Sequence, residues 1–338
     1  MLDVLKSESR LLFSVELRPV QGDRFQPTGF PSLGAATYQT RQGAKLLVES
    51  VQSMANRLES TCWDSENNQP VPALSGISHV TVLRKGEFLT DSMLESHRIN
   101  SPYLLEGTDK TFSNALKAAL GGLEEGPVNR RKLAEVLLRY DVGSLIHGVF
   151  LAKKELAGGR LRVSRALSAF IEASGVRVAA SGGVKNDHVN PSGVTKEGYG
   201  NVPFARDEYV ADSIVCHVNL DLAQIRGYGL GADAENLLIL LSLYRLRRLL
   251  DGDLRLRTAC DLEPLDRSHI SAVRPSGFAL PSLSQLETAV KLSITACSGL
   301  MTASTANYND PLAKGKDSDK GTGPSADDED GSDTADSE

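Results

Sequence analysis

Residues 210–222 constrain the fold of this chain more than any other stretch. Val210, Ile214, Cys216, Val218, Leu220 and Leu222 share one face, while Ser213, His217, Asn219 and Asp221 share the other. A period of two with one apolar side describes a strand that buries a single face. Residues 234–250 then read as a largely buried helix with a basic end, carrying Arg245, Arg247 and Arg248. Alternation returns at 254–262, with Arg255 and Arg257 opposite Leu254, Leu256 and Thr258. The run LLFSVEL (11–17) reads as a buried first strand, and 79–84 and 145–151 as shorter ones. Residues 162–178 fit neither period.

The clearest amphipathic helix places Leu47, Val51, Met54 and Leu58 at i, i+4, i+7 and i+11, widened by Val48 and Ala55. Its outer face carries Gln52, Ser53, Asn56 and Arg57. Neutral hydrogen-bonding groups around one cation suit phosphates and ribose hydroxyls, although a solvated helix face has the same look. Further helices are predicted at 111–120, 131–140 and 283–294. Strands and helices together predict a mixed α/β body.

Between residues 182 and 204 the apolar pattern lapses into five glycines and two prolines. A strand leads out of this excursion, which we read as a protruding hairpin-like arm. After Leu300 the pattern stops altogether. From Asn309 to Glu338 ten acids stand against three lysines, whereas the rest of the chain lies within one charge of neutrality. Such a composition predicts a disordered acidic tail over 304–338.

Several classes are disfavoured. No apolar run is long enough for a membrane span, and the N-terminus has no signal-peptide core, so a cytoplasmic protein is expected. Cys62, Cys216, Cys260 and Cys297 form no CxxC, and the six histidines show no HxH, HxxxH or HExxH spacing, so neither disulfides, a metal nor a cofactor is expected. GxSxG and the P-loop pattern are absent. Two glycine clusters, 181–185 with Lys185 and 226–231 with Arg226 and Tyr228, could approach a phosphate or simply turn the chain.

The segment SVQSMANRLES (50–60) resembles the backbone subunit of the type I-G CRISPR surveillance complex, formerly I-U, in the Cas-seven-like branch of the RAMP superfamily. The resemblance continues in order through LESHRINSPYL, YDVGSLIHGVFL, RALSAFIEASGV, SGGVKND, GNVPFARDEYVA, NLDLAQIRGYGLG and LRLRTACDLE. It implies an α+β fold with an RRM-like, ferredoxin-like palm, inserted finger segments and a thumb hairpin at about 182–206, all within a domain spanning 1–303. It implies a non-catalytic subunit that oligomerises along CRISPR guide RNA and presents it for pairing with target DNA. Expected partners are that guide, target DNA through it, neighbouring copies and other Cascade subunits, with no membrane. Carried onto this sequence, the RNA-binding residues are Gln52, Ser53, Asn56, Arg57, His97, Arg98, Lys185, Arg226 and Tyr228. Arg255 and Arg257 stay open between RNA contact and structure.

Low aromatic content, 5%, reads against a base-stacking sheet of the ordinary RRM kind. The rival reading is a RAMP endoribonuclease that cleaves target RNA or processes the guide, with Asp141, Asp187, Asp221 and Asp261 as carboxylates and His97 and His147 as bases.

Overall fold

The structure, a computed structural model, describes residues 2–30, 34–252 and 254–312. Strand β1 (Arg10–Pro19) buries Leu11, Phe13, Val15 and Leu17 and exposes Ser14 and Glu16 between them. It lies inside an antiparallel sheet with β2 (Thr37–Thr40), β3 (Gly43–Glu49), β4 (Leu167–Ser174), β5 (Ser213–Asp221), β6 (Leu254–Arg257) and β7 (Cys260–Pro264). The order is β6-β7-β1-β5-β4-β3-β2, with Ala272–Arg274 paired to β1 off this path. Register puts inward residues opposite inward ones: Phe13 faces Val218 and Val15 faces Cys216, while Ser14 faces His217 on the other side.

Helices α1 (Val51–Ser60) and α2 (Ala232–Asp251) supply the second layer. Met54 and Leu58 of α1 and Leu237, Leu241 and Tyr244 of α2 join the buried strand residues in one core. Along the chain, β1, α1, β4, β5, α2 and β7 follow one another, and the corresponding strands lie in space as β7-β1-β5-β4. That is the interlocked βαββαβ arrangement of an α+β, RRM-like palm. Its two-layer construction follows from strands apolar on one face and helices apolar on one stripe.

Four boundaries differ from the sequence reading. Leu47 belongs to β3: Leu46 and Val48 point into the core, and the Ser50 hydroxyl accepts the Ser53 N–H at 3.2 Å, starting α1 at Val51. Residues 145–151 divide into a helix, Val142–His147, and a strand, Val149–Leu151, at Gly148, whose φ is +81°. The late alternating run is a hairpin, β6 and β7, turning where Ala259 adopts φ +58°. Ser304–Asn307 is a strand paired in parallel with Val80–Arg84, so the body continues past the expected boundary at 303. One buried side chain, Ala306, is too little apolar signal for hydropathy to register. The remainder of the expected tail, from residue 313, lies outside the described residues.

Residues 180–206 belong to a second compact unit. Strands Arg177–Lys185 and Val202–Val210 pair as a two-stranded ribbon, and Asp187 organises the loop between them. Its carboxylate accepts N–H bonds from Val189, Asn190 and Gly200, all at 2.9 Å, which hold its pKa below the usual carboxylate value. Among the described residues no helix is long and apolar enough to cross a membrane, no metal-holding cluster occurs, and the four cysteines are free and buried.

Candidate nucleic-acid interface

The polar face of α1 divides into two parts. Gln52 and Asn56, four residues apart, are exposed. Ser53 and Arg57 turn instead towards Glu49 at the end of β3, a carboxylate only 1% exposed. Its Oε1 accepts from the Ser53 hydroxyl and from Arg57 Nε, the latter at 3.0 Å, and its Oε2 accepts from Arg257. The Arg57 guanidinium also donates to the carbonyls of Arg255, at 3.3 Å, and Leu256 on β6. A buried carboxylate is tolerable only when paired and hydrogen-bonded, and these groups supply both. Arg57 does not project freely from the helix, because Glu49 and the β6 carbonyls occupy its guanidinium. Arg257 is likewise internal and donates to the Gln26 carbonyl at 3.2 Å. Arg255 is exposed, with the Asp261 carboxylate 3.9 Å away.

His97 and Arg98 separate in the same manner. His97 is exposed, whereas Arg98 is 4% exposed and takes a left-handed φ of +50°. Arg98 donates to the carboxylate of Glu59 on α1 and to the Gly148 carbonyl at 3.5 Å. Arg245 of α2, fully buried, sits 3.8 Å from the other Glu59 oxygen. His147 is buried beside these arginines; burial first, then the positive charge of Arg245 and Arg98, holds its pKa well below the ordinary imidazole value. A neutral, enclosed imidazole is out of reach of an RNA backbone.

The glycine-rich element also works internally. Arg226 donates to the carbonyls of Leu5, at 3.5 Å, and Glu8, fixing the N-terminal turn, with Glu235 at 4.0 Å. Tyr228 is buried: its hydroxyl donates to the Leu145 carbonyl and accepts from Gln224 Nε2, both at 2.7 Å, and burial pushes its pKa up to about 12. Gln224 Nε2 also donates to the Ser164 carbonyl at 2.6 Å. Lys185 is exposed on its arm strand.

Of the nine sequence-derived RNA contacts, Gln52, Asn56, His97 and Lys185 are therefore available to a ligand as the chain stands. Ser53, Arg57, Arg98, Arg226 and Tyr228 are engaged within the protein. Among the carboxylates considered for catalysis, Asp141 is buried and accepts the Ser144 hydroxyl at 2.7 Å, while Asp221 caps the helix Leu222–Gly227 and pairs with Arg10 at 2.9 Å.

Two features escaped the sequence reading. On the open face of the sheet, Phe170 of β4 lies against His217 of β5, with ring centroids 5.2 Å apart. Ser14 bonds His217 Nδ1 at 3.2 Å, and Glu172 stands 3.9 Å from Nε2. That face carries both signs: Lys45 stands 3.6 Å from Glu172, and Arg10 pairs with Asp221 and Arg18 with Glu263, both at 2.9 Å. The second is an exposed phenylalanine, Phe150, whose ring centroid lies 4.6 Å from the guanidinium of Arg162; the sequence shows Arg162 clustered with Arg160 and Arg165 but not its aromatic partner.

The palm is RRM-like, a fold shared by proteins of many unrelated functions. Comparison with known proteins narrows this. Residues 11–178, just under half of the chain, match the family model described as "CRISPR-associated protein GSU0053". A chain of the solved structure titled "CRISPR RNA-guided surveillance complex, pre-nicking" aligns with a TM-score of 0.39 and 14% identity, covering 75% of this chain and 73% of that one. No curated protein matches.

Proposed function

We propose that this chain is a non-catalytic backbone subunit of a type I-G Cascade surveillance complex. In this reading copies assemble head-to-tail along a CRISPR guide RNA in the cytoplasm and present it for pairing with target DNA, alongside other Cascade subunits. The family match over residues 11–178 carries the proposal. The ordered motif resemblance extends it through the glycine-rich element and the late hairpin, beyond the matched span. Exposed Gln52, Asn56 and His97, with Lys185 on the arm, are groups that can meet sugar and phosphate without reading bases. The arm takes the role of the thumb. Of the four carboxylates of the rival reading, Asp141, Asp187 and Asp221 each serve a structural bond, while Asp261, 3.9 Å from Arg255, is left to the test below.

The test is mass photometry of the purified protein with unstructured RNAs of increasing length, in magnesium or manganese. The mass of the complex should rise stepwise with RNA length while the RNA stays intact. A mass independent of length would overturn the scaffold. Metal-dependent cuts at regular spacing, lost when one of these aspartates becomes Ala, would install the endoribonuclease instead.

A further inference from the structure

The internal motif residues converge on one element. Strands Val149–Leu151 and Leu161–Val163 form a short antiparallel ribbon. At its base, Arg98 binds the Gly148 carbonyl, Tyr228 binds the Leu145 carbonyl and Gln224 binds the Ser164 carbonyl. Gly148 itself admits no side chain: a Cβ there would lie 2.8 Å from the Val163 carbonyl oxygen. The ribbon is thus held on both strands by groups from the His97–Arg98 turn and the glycine-rich element.

Its two sides differ sharply. Val149, Leu151 and Leu161 are buried. Phe150 and Arg162 are direct cross-strand partners on the opposite side. Phe150 is 42% exposed, its ring open to solvent on the side away from the core. Arg162 is exposed and makes no hydrogen bond or ion pair among the described residues, so its charge is uncompensated. From Val149 to Arg165 the chain carries five cations and one acid, Glu155.

We infer that this ribbon is a contact site for an unpaired nucleotide of single-stranded RNA, with Phe150 stacking on the base and Arg162 pairing with the adjoining phosphate. The inference rests on the proposed RNA-binding function and adds to it a site outside the nine residues read from the sequence. The occupant follows from the chemistry. A ring flanked by a guanidinium offers a π-face and a cation together, which is how single strands are held without base reading. A duplex, whose base faces are covered, gains nothing from the ring. On the ribbon itself Arg162 supplies the positive charge for a phosphate, since Lys153 is paired with Glu106 and Arg160 donates to the Leu123 carbonyl.

The test compares the full chain with Phe150→Ala, Phe150→Trp and Arg162→Ala by fluorescence anisotropy. The probes are an unstructured 30-nucleotide RNA and an abasic oligomer with the same number of phosphates. Phe150→Ala should weaken RNA binding roughly tenfold, with the salt slope unchanged and abasic binding unaffected, and Phe150→Trp should restore it. Arg162→Ala should weaken both probes and flatten the log–log salt slope by about 0.7. Thermal melting of all three should match the parent, because both side chains lie outside the core. If the parent binds RNA but these variants bind as it does, the ribbon assignment falls and the RNA-binding reading stands. If the parent binds neither probe, both fall. Loss of self-association without RNA, at unchanged RNA affinity, makes the ribbon a protein contact and overturns the inference.

Discussion

Replacing Arg57 with Ala should destabilise the protein whether or not RNA is present. Arg57 is 21% exposed at the side chain and pairs with Glu49, which is 1% exposed. Removing one partner of a buried pair costs about 3–5 kcal/mol when the other charge is left alone. Glu49 is not left alone, because Arg257 and the Ser53 hydroxyl remain bonded to it. That compensation brings the expected electrostatic loss down to about 1–2 kcal/mol. The β6 carbonyls of Arg255 and Leu256 also lose their donor, adding about 0.5–1 kcal/mol after partial rehydration. The sum, about 1.5–3 kcal/mol, would be measured by urea denaturation followed by circular dichroism, with an unchanged slope. A double variant with Glu49→Gln should be non-additive by about 1 kcal/mol or more, since both residues sit in one network. Asn56→Ala on the exposed side of the same helix should stay within about 0.5 kcal/mol. An Arg57→Ala loss below about 0.5 kcal/mol, additive with Glu49→Gln, would refute the argument and return Arg57 to the solvent. RNA binding by this variant has to be read well below its melting transition, where a folding defect cannot pass for a lost contact.

Two further outcomes are expected. Burial lifts the Asp141 carboxyl to about 6, so the folded state holds a proton that the unfolded state has released between about pH 4 and 6. The contribution of Asp141 to stability should therefore fall as pH rises through that window; Asp141→Asn should remove that contribution and be more stable than the parent by on the order of 2 kcal/mol in urea at pH 7 but not at pH 4. Truncation after Leu312 should leave the melting temperature unchanged. Truncation after Ala303 should lower it by several degrees, because it removes the Ser304–Asn307 strand and the Asn309 and Asp310 side chains bonded to the N–H groups of Lys85 and Thr108.

The palm was legible where periodicity was strong. Residues 210–222 show the alternation of β5, and residues 234–250 the burial of α2, because one burial face imposes one period. Legibility failed where a single residue decided the matter. Gly148 breaks an apolar run into helix and strand, and Ser50 ends a strand that continues the helix stripe backwards through Leu47. At the interface, helical spacing identifies which side chains leave α1 on the polar side. It does not tell that a buried carboxylate one residue before the cap, Glu49, recruits two of them. Ser53 and Arg57 lie close to Glu49 in the chain, but its third partner, Arg257, is 208 positions away and leaves no trace in a local pattern. The Phe150–Arg162 pair escaped because a three-residue strand is too short to show a period.

The arrangement accounts for arginine-rich motifs in a body with almost no net charge. Arg57, Arg98 and Arg257 each spend their guanidinium on a carboxylate and a backbone carbonyl, and Arg226 on two carbonyls, a combination suited to a planar fork with five donors. Those bonds tie α1 to the sheet and to the His97–Arg98 turn, and the glycine-rich element to the N-terminal turn. Sequence motifs of this kind then report the positioning frame rather than the ligand surface. Exposed neighbours such as Gln52, Asn56, His97 and Phe150 are left to meet whatever binds. A subunit proposed to hold RNA of any sequence gains from that division. Fixed arginines keep the geometry of neighbouring contacts constant, and the few uncompensated cations, with Arg162 the clearest, attract phosphate without making the whole body sticky towards polyanions.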